Sequence, residues 1–382
     1  MSGDSEHRTI GIVLAGNLGD VLLWSAVIKP LKERFENSRI ILIGSAATLE
    51  LLRTSPVIDE FVLASEIHLW PWGHHRIPGK RLIGKWRRKL KSARFSVDLL
   101  IFPTHVVGQA EADLLEAVEC KASYGIIHGL YLGVRRTEWD LRLTQGHSIA
   151  TRTHDERHIL KDVQSFLEWL GCREEYEPQP HLRIDRARSK KISDETGLTR
   201  GIPFGILFPG CRYLPRIKTW SAENWSIAFR DLQEILPQHW LILAHAAEMD
   251  FCRTVERAIG KSAPEFKTLV YSARDLSTLA DVVDGAQIAM GIDNGGMHLS
   301  VAMNIPSVTI LSGAMGHRYF PWGPPDRHRV VSHPMDCWHC NYNCIHERPL
   351  CVESISTQQV VETTQSLLRN LSIPGADIKA VD

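Results

Sequence analysis

At 382 residues the chain is longer than one typical hydrophobic core supports, so two domains are expected. Lysine plus arginine and aspartate plus glutamate both number 44, giving a formal net charge of zero, which argues against a general affinity for nucleic acid and makes any anion site local. The start is polar, the first apolar run is too short for a signal-peptide core, and no stretch reaches the roughly 18 apolar residues of a membrane span, so a soluble cytoplasmic protein is expected.

Residues 9–15 form a short apolar run of the kind that makes a buried parallel strand. The turn Gly16-Asn17-Leu18-Gly19-Asp20 follows, and residues 21–35 then carry apolar positions at helical spacing, ending in Lys32-Glu33-Arg34. Further strands are expected at 39–44 and 97–102, with a helix at 155–170 closing the first half. Strands alternating with helices imply a parallel sheet covered on both faces. Between the strands lies a basic stretch interleaved with Leu82, Ile83 and Leu90. It reads either as a solvated face or as a surface for an anionic membrane or phosphorylated glycolipid, with Lys80, Arg81, Lys85, Trp86, Arg87 and Arg88 in contact.

Residues 177–201 turn polar around Pro178 and Pro180, which marks a linker; residues 1–185 are assigned to an N-terminal domain and 186–382 to a C-terminal one. The alternation then restarts, with strands at 204–208 and 240–244 and helices at 222–235, 248–259 and 276–285. A final βαβ unit holds the turn Asp293-Asn294-Gly295-Gly296, a helix beginning near Met297, and a strand at 305–311. The last helix, 357–371, is expected to pack back across both domains. Two doubly wound α/β domains would leave a cleft at the C-terminal edges of their sheets, where such folds bind ligands.

Four places could carry chemistry. The glycines of 293–296 either turn the chain or let its backbone approach a phosphate at the helix start, while Asp293 or Asn294 either caps that helix or meets a ligand. Asp20, on the first turn of the first helix, is either a dipole partner or a general base. The absence of the G-x-G-x-x-G pattern there weakens a nicotinamide reading. Lys218 closes a long loop after the strand at 204–208, as a surface lysine or as a counter-charge for a diphosphate; Glu248 is either a helix-start acid or a ribose ligand. Cys337, Cys340, Cys344 and Cys351 crowd one window, as a loop of free thiols or as four thiolates round one Zn or Fe ion, with His339 and His346 in reserve.

Gly19-Asp20-Val21-Leu22-Leu23, Pro209-Gly210 leading to Lys218-Thr219-Trp220, Glu248 after its strand, and Asp293-Asn294-Gly295-Gly296-Met297-His298-Leu299 together resemble glycosyltransferase family 9, the ADP-heptose lipopolysaccharide heptosyltransferases. The resemblance implies a GT-B fold, two Rossmann-like domains facing across a cleft, and an inverting transfer of heptose from ADP-heptose to a surface glycan such as lipopolysaccharide core. It implies that Asp20 is the catalytic base. It places Lys218 and Glu248 on the donor's diphosphate and ribose, and Asp293, Asn294, Gly295, Gly296 and His298 in the diphosphate loop. It implies no catalytic metal. It also makes the enzyme peripheral on the cytoplasmic face of the inner membrane, with a glycolipid or glycan as acceptor. Four-cysteine iron sites occur in the family's protein-modifying branch, the autotransporter heptosyltransferases, so a protein acceptor is the nearest alternative and a structural Zn or Fe ion an associated expectation. A non-catalytic nucleotide- or glycan-binding module is a further alternative, against which stands the joint presence of Asp20, Lys218 and His298. A GT-B nucleotide-sugar epimerase would need further acids in the cleft.

Overall fold

A computed structural model of the chain describes residues 9–14, 16–53, 55–63, 95–103, 114–115, 117–128, 130–131, 134–135, 143–149, 157–173, 202–211 and 215–371. The basic segment with Lys80, Arg81, Lys85, Trp86, Arg87 and Arg88 lies outside them, as does the expected linker at 177–201. The chain divides into two compact units between Arg183 and Ile184.

The first unit is built on β1 (Thr9–Leu14), β2 (Arg39–Gly44), β3 (Glu60–Leu63), β4 (Phe95–Phe102) and β5 (Val118–His128), with a short antiparallel ribbon of β6 (Leu130–Tyr131) and β7 (Val134–Arg135), then β8 (Gln145–Ile149). Its six-stranded sheet has the order β3-β2-β1-β4-β5-β8, with every neighbour parallel. From Ile10 to Leu14 every residue of β1 is buried, as a central parallel strand covered on both faces requires.

The helix expected at 21–35 is divided. It begins as α1 (Leu18–Trp24), tightens to a 3₁₀ turn at Ser25–Val27, and resumes as α2 (Ile28–Arg34). Pro30 has no N–H to offer the Ala26 carbonyl, and the Ser25 hydroxyl donates back to the Leu22 carbonyl at 2.7 Å, so the regular ladder fails at that point. After α3 (Ala46–Leu52), α4 (Ile159–Trp169) is the last helix among the described residues of the unit, shorter than its expected range and capped by the His158 ring, which accepts from the Leu160 amide.

The second unit repeats the topology. Its strands are β9 (Phe204–Phe208), β10 (His239–Leu243), β11 (Lys267–Tyr271), β12 (Ile288–Ile292), β13 (Ser307–Leu311) and β14 (His328–Ser332), in the parallel order β11-β10-β9-β12-β13-β14. Its helices are α5 (Pro215–Lys218), α6 (Ala222–Asp231), α7 (Met249–Ser262), α8 (Leu276–Asp284), α9 (Gly295–Ala302), α10 (Leu350–Glu353) and α11 (Thr357–Leu371). Both sheets therefore follow the doubly wound order in which the first strand lies beside the fourth, and ligands of such folds bind at the C-terminal ends of those two strands.

Aromatic side chains fill the core of this unit. Phe229 meets Trp240 edge-to-face with ring centroids 4.7 Å apart and Phe266 at 5.2 Å. The buried Trp220 indole donates to the Ile355 carbonyl at 3.0 Å, fixing the chain just before α11. That helix lies on α6, β13 and β14. Among the described residues no helix is long and apolar enough to cross a membrane.

Candidate active site

The switch point of the second unit is between β9 and β12, and the sequence brings its polar residues together there. Asn294 is the N-cap of α9. Its Oδ1 accepts from the Met297 amide at 3.1 Å, while its Nδ2 donates to the carbonyls of Gly210 at 2.9 Å and Phe208 at 3.4 Å. One side chain thus caps the helix and joins the C-terminal ends of both central strands. Of the two roles left open by the sequence for Asn294, the capping one is realised.

Asp293 is turned the other way. Its Oδ2 accepts from the Lys218 ammonium at 2.9 Å, its carbonyl accepts from the same nitrogen at 3.2 Å, and its Oδ1 lies 3.6 Å from His298 Nε2. The Lys218 and Asp293 side chains are only 14% and 7% exposed, so this is a buried ion pair and not a surface lysine. Burial pulls the lysine toward neutrality, but the Asp293 charge and the Tyr342 contact outweigh it and hold Lys218 above the usual lysine range. Burial likewise pushes Asp293 up, and the Lys218 charge and the His298 hydrogen bond more than reverse this, leaving its carboxyl well below the usual carboxylate range. The pair is ionised throughout the neutral range.

His298 is buried by two aromatic neighbours. It stacks on Phe320 with centroids 4.1 Å apart, and the Trp322 indole N–H donates to its Nδ1 at 3.0 Å. An indole nitrogen can only donate, so Nδ1 must carry the lone pair and Nε2 the proton that faces Asp293. The sequence singled out His298 but missed Phe320 and Trp322, whose only signal is the aromatic cluster Phe320-Pro321-Trp322-Gly323 after the strand.

The two glycines of the turn differ. Gly296 is buried, and a Cβ there would fall 2.2 Å from the Phe208 ring, so side-chain packing alone demands glycine at this position. Gly295 opens α9, and its amide, like that of Gly296, has no intrahelical acceptor. Glu248 closes the 3₁₀ turn Ala246–Glu248 ahead of α7; its Oε2 accepts from the His245 amide at 3.0 Å. Its stem lies against Gly210, where a Cβ would approach it to 3.1 Å.

In the first unit, Asp20 stands on the first turn of α1, half-buried, with Oδ2 accepting from the Asn17 amide at 3.0 Å. Gly16, at a φ of +134°, brings the preceding turn so close that a Cβ would meet Asp20 Cβ at 2.9 Å.

Cys337, Cys340, Cys344 and Cys351 are all free thiols, and with His346 and Ile217 they line one small cavity. One sulfur accepts a backbone hydrogen bond, Cys351 from the Gly313 amide at 3.4 Å. Among the described residues no group of three or more metal-ligating side chains is gathered to hold an ion. The cavity adjoins the switch point, since Ile217 immediately precedes Lys218.

The family model of glycosyltransferase family 9 (heptosyltransferase) matches residues 135–346, more than half of the chain. The chain belongs to glycosyltransferase family 9. It is therefore a glycosyltransferase with the GT-B fold of two Rossmann-like units. A curated relative, lipooligosaccharide heptosyltransferase 2 of Campylobacter jejuni, is 20% identical over 92% of this chain and 96% of its own. Among solved structures, the family 9 glycosyltransferase of Veillonella parvula superimposes with a TM-score of 0.71 at 18% identity, covering 96% of this chain and 98% of that one. The ADP-heptose lipopolysaccharide heptosyltransferase II of E. coli gives 0.67 at 15% identity, covering 96% and 100%. The iron-containing dodecameric glycosyltransferase TibC of enterotoxigenic E. coli gives 0.53 at 14% identity, covering 96% of this chain and 77% of that one.

Proposed function

We propose that this family 9 glycosyltransferase moves heptose from ADP-heptose onto a bacterial surface glycan such as lipopolysaccharide core, with inversion at the anomeric carbon. The observation that carries the reading is the buried, permanently charged Lys218 at the β9/β12 switch point, beside the first turn of α9. A departing diphosphate gains negative charge as the sugar bond breaks, and a fixed ammonium with two helix-start amides stabilises that charge more than it stabilises the donor. Asp293 is then the counter-ion that keeps Lys218 charged and aimed, and His298 Nε2 steadies Asp293. Glu248 is the candidate for the nucleotide ribose. On the acceptor side Asp20 is the base, taking the proton of the attacking hydroxyl. The basic segment with Lys80, Arg81, Lys85, Trp86, Arg87 and Arg88 is the proposed contact with a glycolipid or with the cytoplasmic face of the inner membrane.

The convergence of four cysteines on one cavity favours a second reading, a protein O-heptosyltransferase of the family's protein-modifying branch. The donor set suits a thiophilic ion, and the Cys351 sulfur already accepts a backbone N–H bond, as metal-bound thiolates do. Cys337, Cys340, Cys344 and Cys351 would hold a structural Zn or Fe ion, which would cross-link the loop and take no part in transfer.

The test has two parts. ADP should raise the unfolding midpoint, with GDP, UDP and dTDP giving smaller shifts, because only a ligand of the native state stabilises it. Asp20→Asn should bind ADP as the parent does while transfer from ADP-heptose to lipopolysaccharide core falls about 10²–10⁴-fold, the usual contribution of a general base. Transfer by Asp20→Asn at the parental rate would remove Asp20 from the chemistry. No response to ADP beside a strong response to another nucleotide would replace the donor.

A further inference from the structure

The loop between β14 and α10 carries Cys337, Cys340 and Cys344, with Cys351 on α10 itself, and it also carries the residue that touches the donor-side lysine. Tyr342, midway between Cys340 and Cys344, holds its ring centroid 5.3 Å from Lys218 Nζ. We propose that Tyr342 is a positioning residue for Lys218, and that the cysteine loop serves the donor site by holding Tyr342 against it. The inference rests on Lys218 being the diphosphate lysine.

A lysine on a flexible four-carbon stem has rotamer freedom to lose before it can act as a fixed charge. Asp293 takes two of the contacts of Lys218, through Oδ2 and the carbonyl, both on one residue. Tyr342 supplies a contact from a separate element. It also adds a neutral aromatic surface that favours a cation without cancelling its charge, as a second carboxylate would.

The loop is shaped for this placement at a cost. His339, Asn341 and Tyr342 all adopt positive φ, at 67°, 48° and 62°, where a histidine or tyrosine is rarely found. The conformation is fixed from outside the loop, by His339 and Asn341 amides donating to the Gly313 and Ala314 carbonyls at 2.8 Å each. It is fixed from within by the Asn343 amide, which donates to the Cys340 carbonyl at 2.9 Å. On the other side, Ile217 lines the cysteine cavity and Lys218 is its next neighbour. The cavity thus borders Lys218 through its chain neighbour Ile217, and Cys340 and Cys344, which line it, flank Tyr342 in sequence.

The experiment combines calorimetry with ADP and reductive methylation of lysines without ligand, read by mass spectrometry. It covers the parent, Tyr342→Phe, Tyr342→Ala, Cys340→Ala, Lys218→Ala and the Lys218→Ala/Tyr342→Ala double variant, with melting temperatures confirming that each is folded. Tyr342→Ala is expected to weaken ADP about tenfold, Tyr342→Phe to retain most of the affinity, and Cys340→Ala to fall between them. In the Lys218→Ala background Tyr342→Ala should cost nothing more, because its effect passes through the lysine. Lys218 should resist methylation in the parent and be labelled in Tyr342→Ala. Equal losses from Tyr342→Ala in both backgrounds, or unchanged ADP affinity, would overturn the proposal. If the parent itself fails to bind ADP, the donor reading is what has failed, and methylation decides separately: parental protection of Lys218 in both Tyr342→Ala and Tyr342→Phe overturns the positioning role. Should Tyr342→Ala not fold, Tyr342→Leu takes its place with the same expectations.

Discussion

Asp293 and Asn294 are neighbours of similar shape, and their environments give them unrelated tasks. The amide has both a donor and an acceptor, so it can cap α9 and join two strand ends at once. The carboxylate only accepts, so it collects the Lys218 ammonium and the protonated face of His298. The orientation of that face depends on Trp322, which no pattern around the turn announces. Trp322→Phe removes the one donor to His298 Nδ1 found among the described residues, and leaves a buried acceptor unpaired, at a cost of about 1–3 kcal/mol. In nitrogen-15 spectra of histidine-labelled protein, His298 should show a bare Nδ1 and a protonated Nε2 in the parent, and a mixture of tautomers in the variant. A protonated Nδ1 in the parent would mean that Trp322 does not set the ring.

At the scale of elements, the parallel strands were legible because burial on both faces leaves them as unbroken apolar runs, β1, β9 and β12 above all. β5 was not, since it alternates Glu119, Lys121 and apolar positions, and Lys121 is drawn to Asp98 of β4 at 2.7 Å. The turn after β12 was legible as a polar strand end opening a helix, yet the reason for its second glycine was not. The sequence leaves Gly296 as a turn or as close approach to a phosphate, and neither reading contains the packing reason: its Cβ space is taken by Phe208, a residue 88 positions earlier that the β9–β12 pairing brings near. Tyr342 was hidden for the same reason, because its partner is determined by the fold. Packing of this kind predicts that Gly296→Ala destabilises the protein by about 1–3 kcal/mol, the usual range for an overpacked core. Phe208→Leu should restore part of the loss in the double variant by removing the ring edge that the new methyl strikes. Chemical denaturation of the two single variants and the double one measures this, and a Gly296→Ala midpoint equal to the parent's would return the glycine to a ligand role.

For the molecule as a whole, stability should depend on a histidine far from any chemistry. His328, on the edge strand β14, is buried with Nδ1 bonded to the Ser307 hydroxyl at 2.9 Å. Its Nε2 has no hydrogen-bond partner among the described residues. Burial, helped by the nearby Arg327 charge, lowers its pKa from 6.5 to about 4, with Asp326 opposing. A histidine depressed in the folded state binds its proton more readily when unfolded, so unfolding takes up a proton between those two values and stability falls as pH drops through them. A shift of this size corresponds to about 3 kcal/mol lost from neutral pH to below pH 4. His147, also lowered by burial, adds to the fall with the same sign, and Asp293 is lost only at more acid pH. The contribution of His328 is isolated by difference. His328→Phe keeps a ring beneath Gly323 but cannot titrate, so its loss of the Ser307 bond lowers stability by a pH-independent amount. Denaturation curves collected between pH 7.5 and 4 should therefore start apart and converge, the variant falling more shallowly by about 3 kcal/mol over the interval. Parallel curves would show that His328 is protonated in the folded protein, and that a charge is tolerated under β14 where the structure offers it no partner.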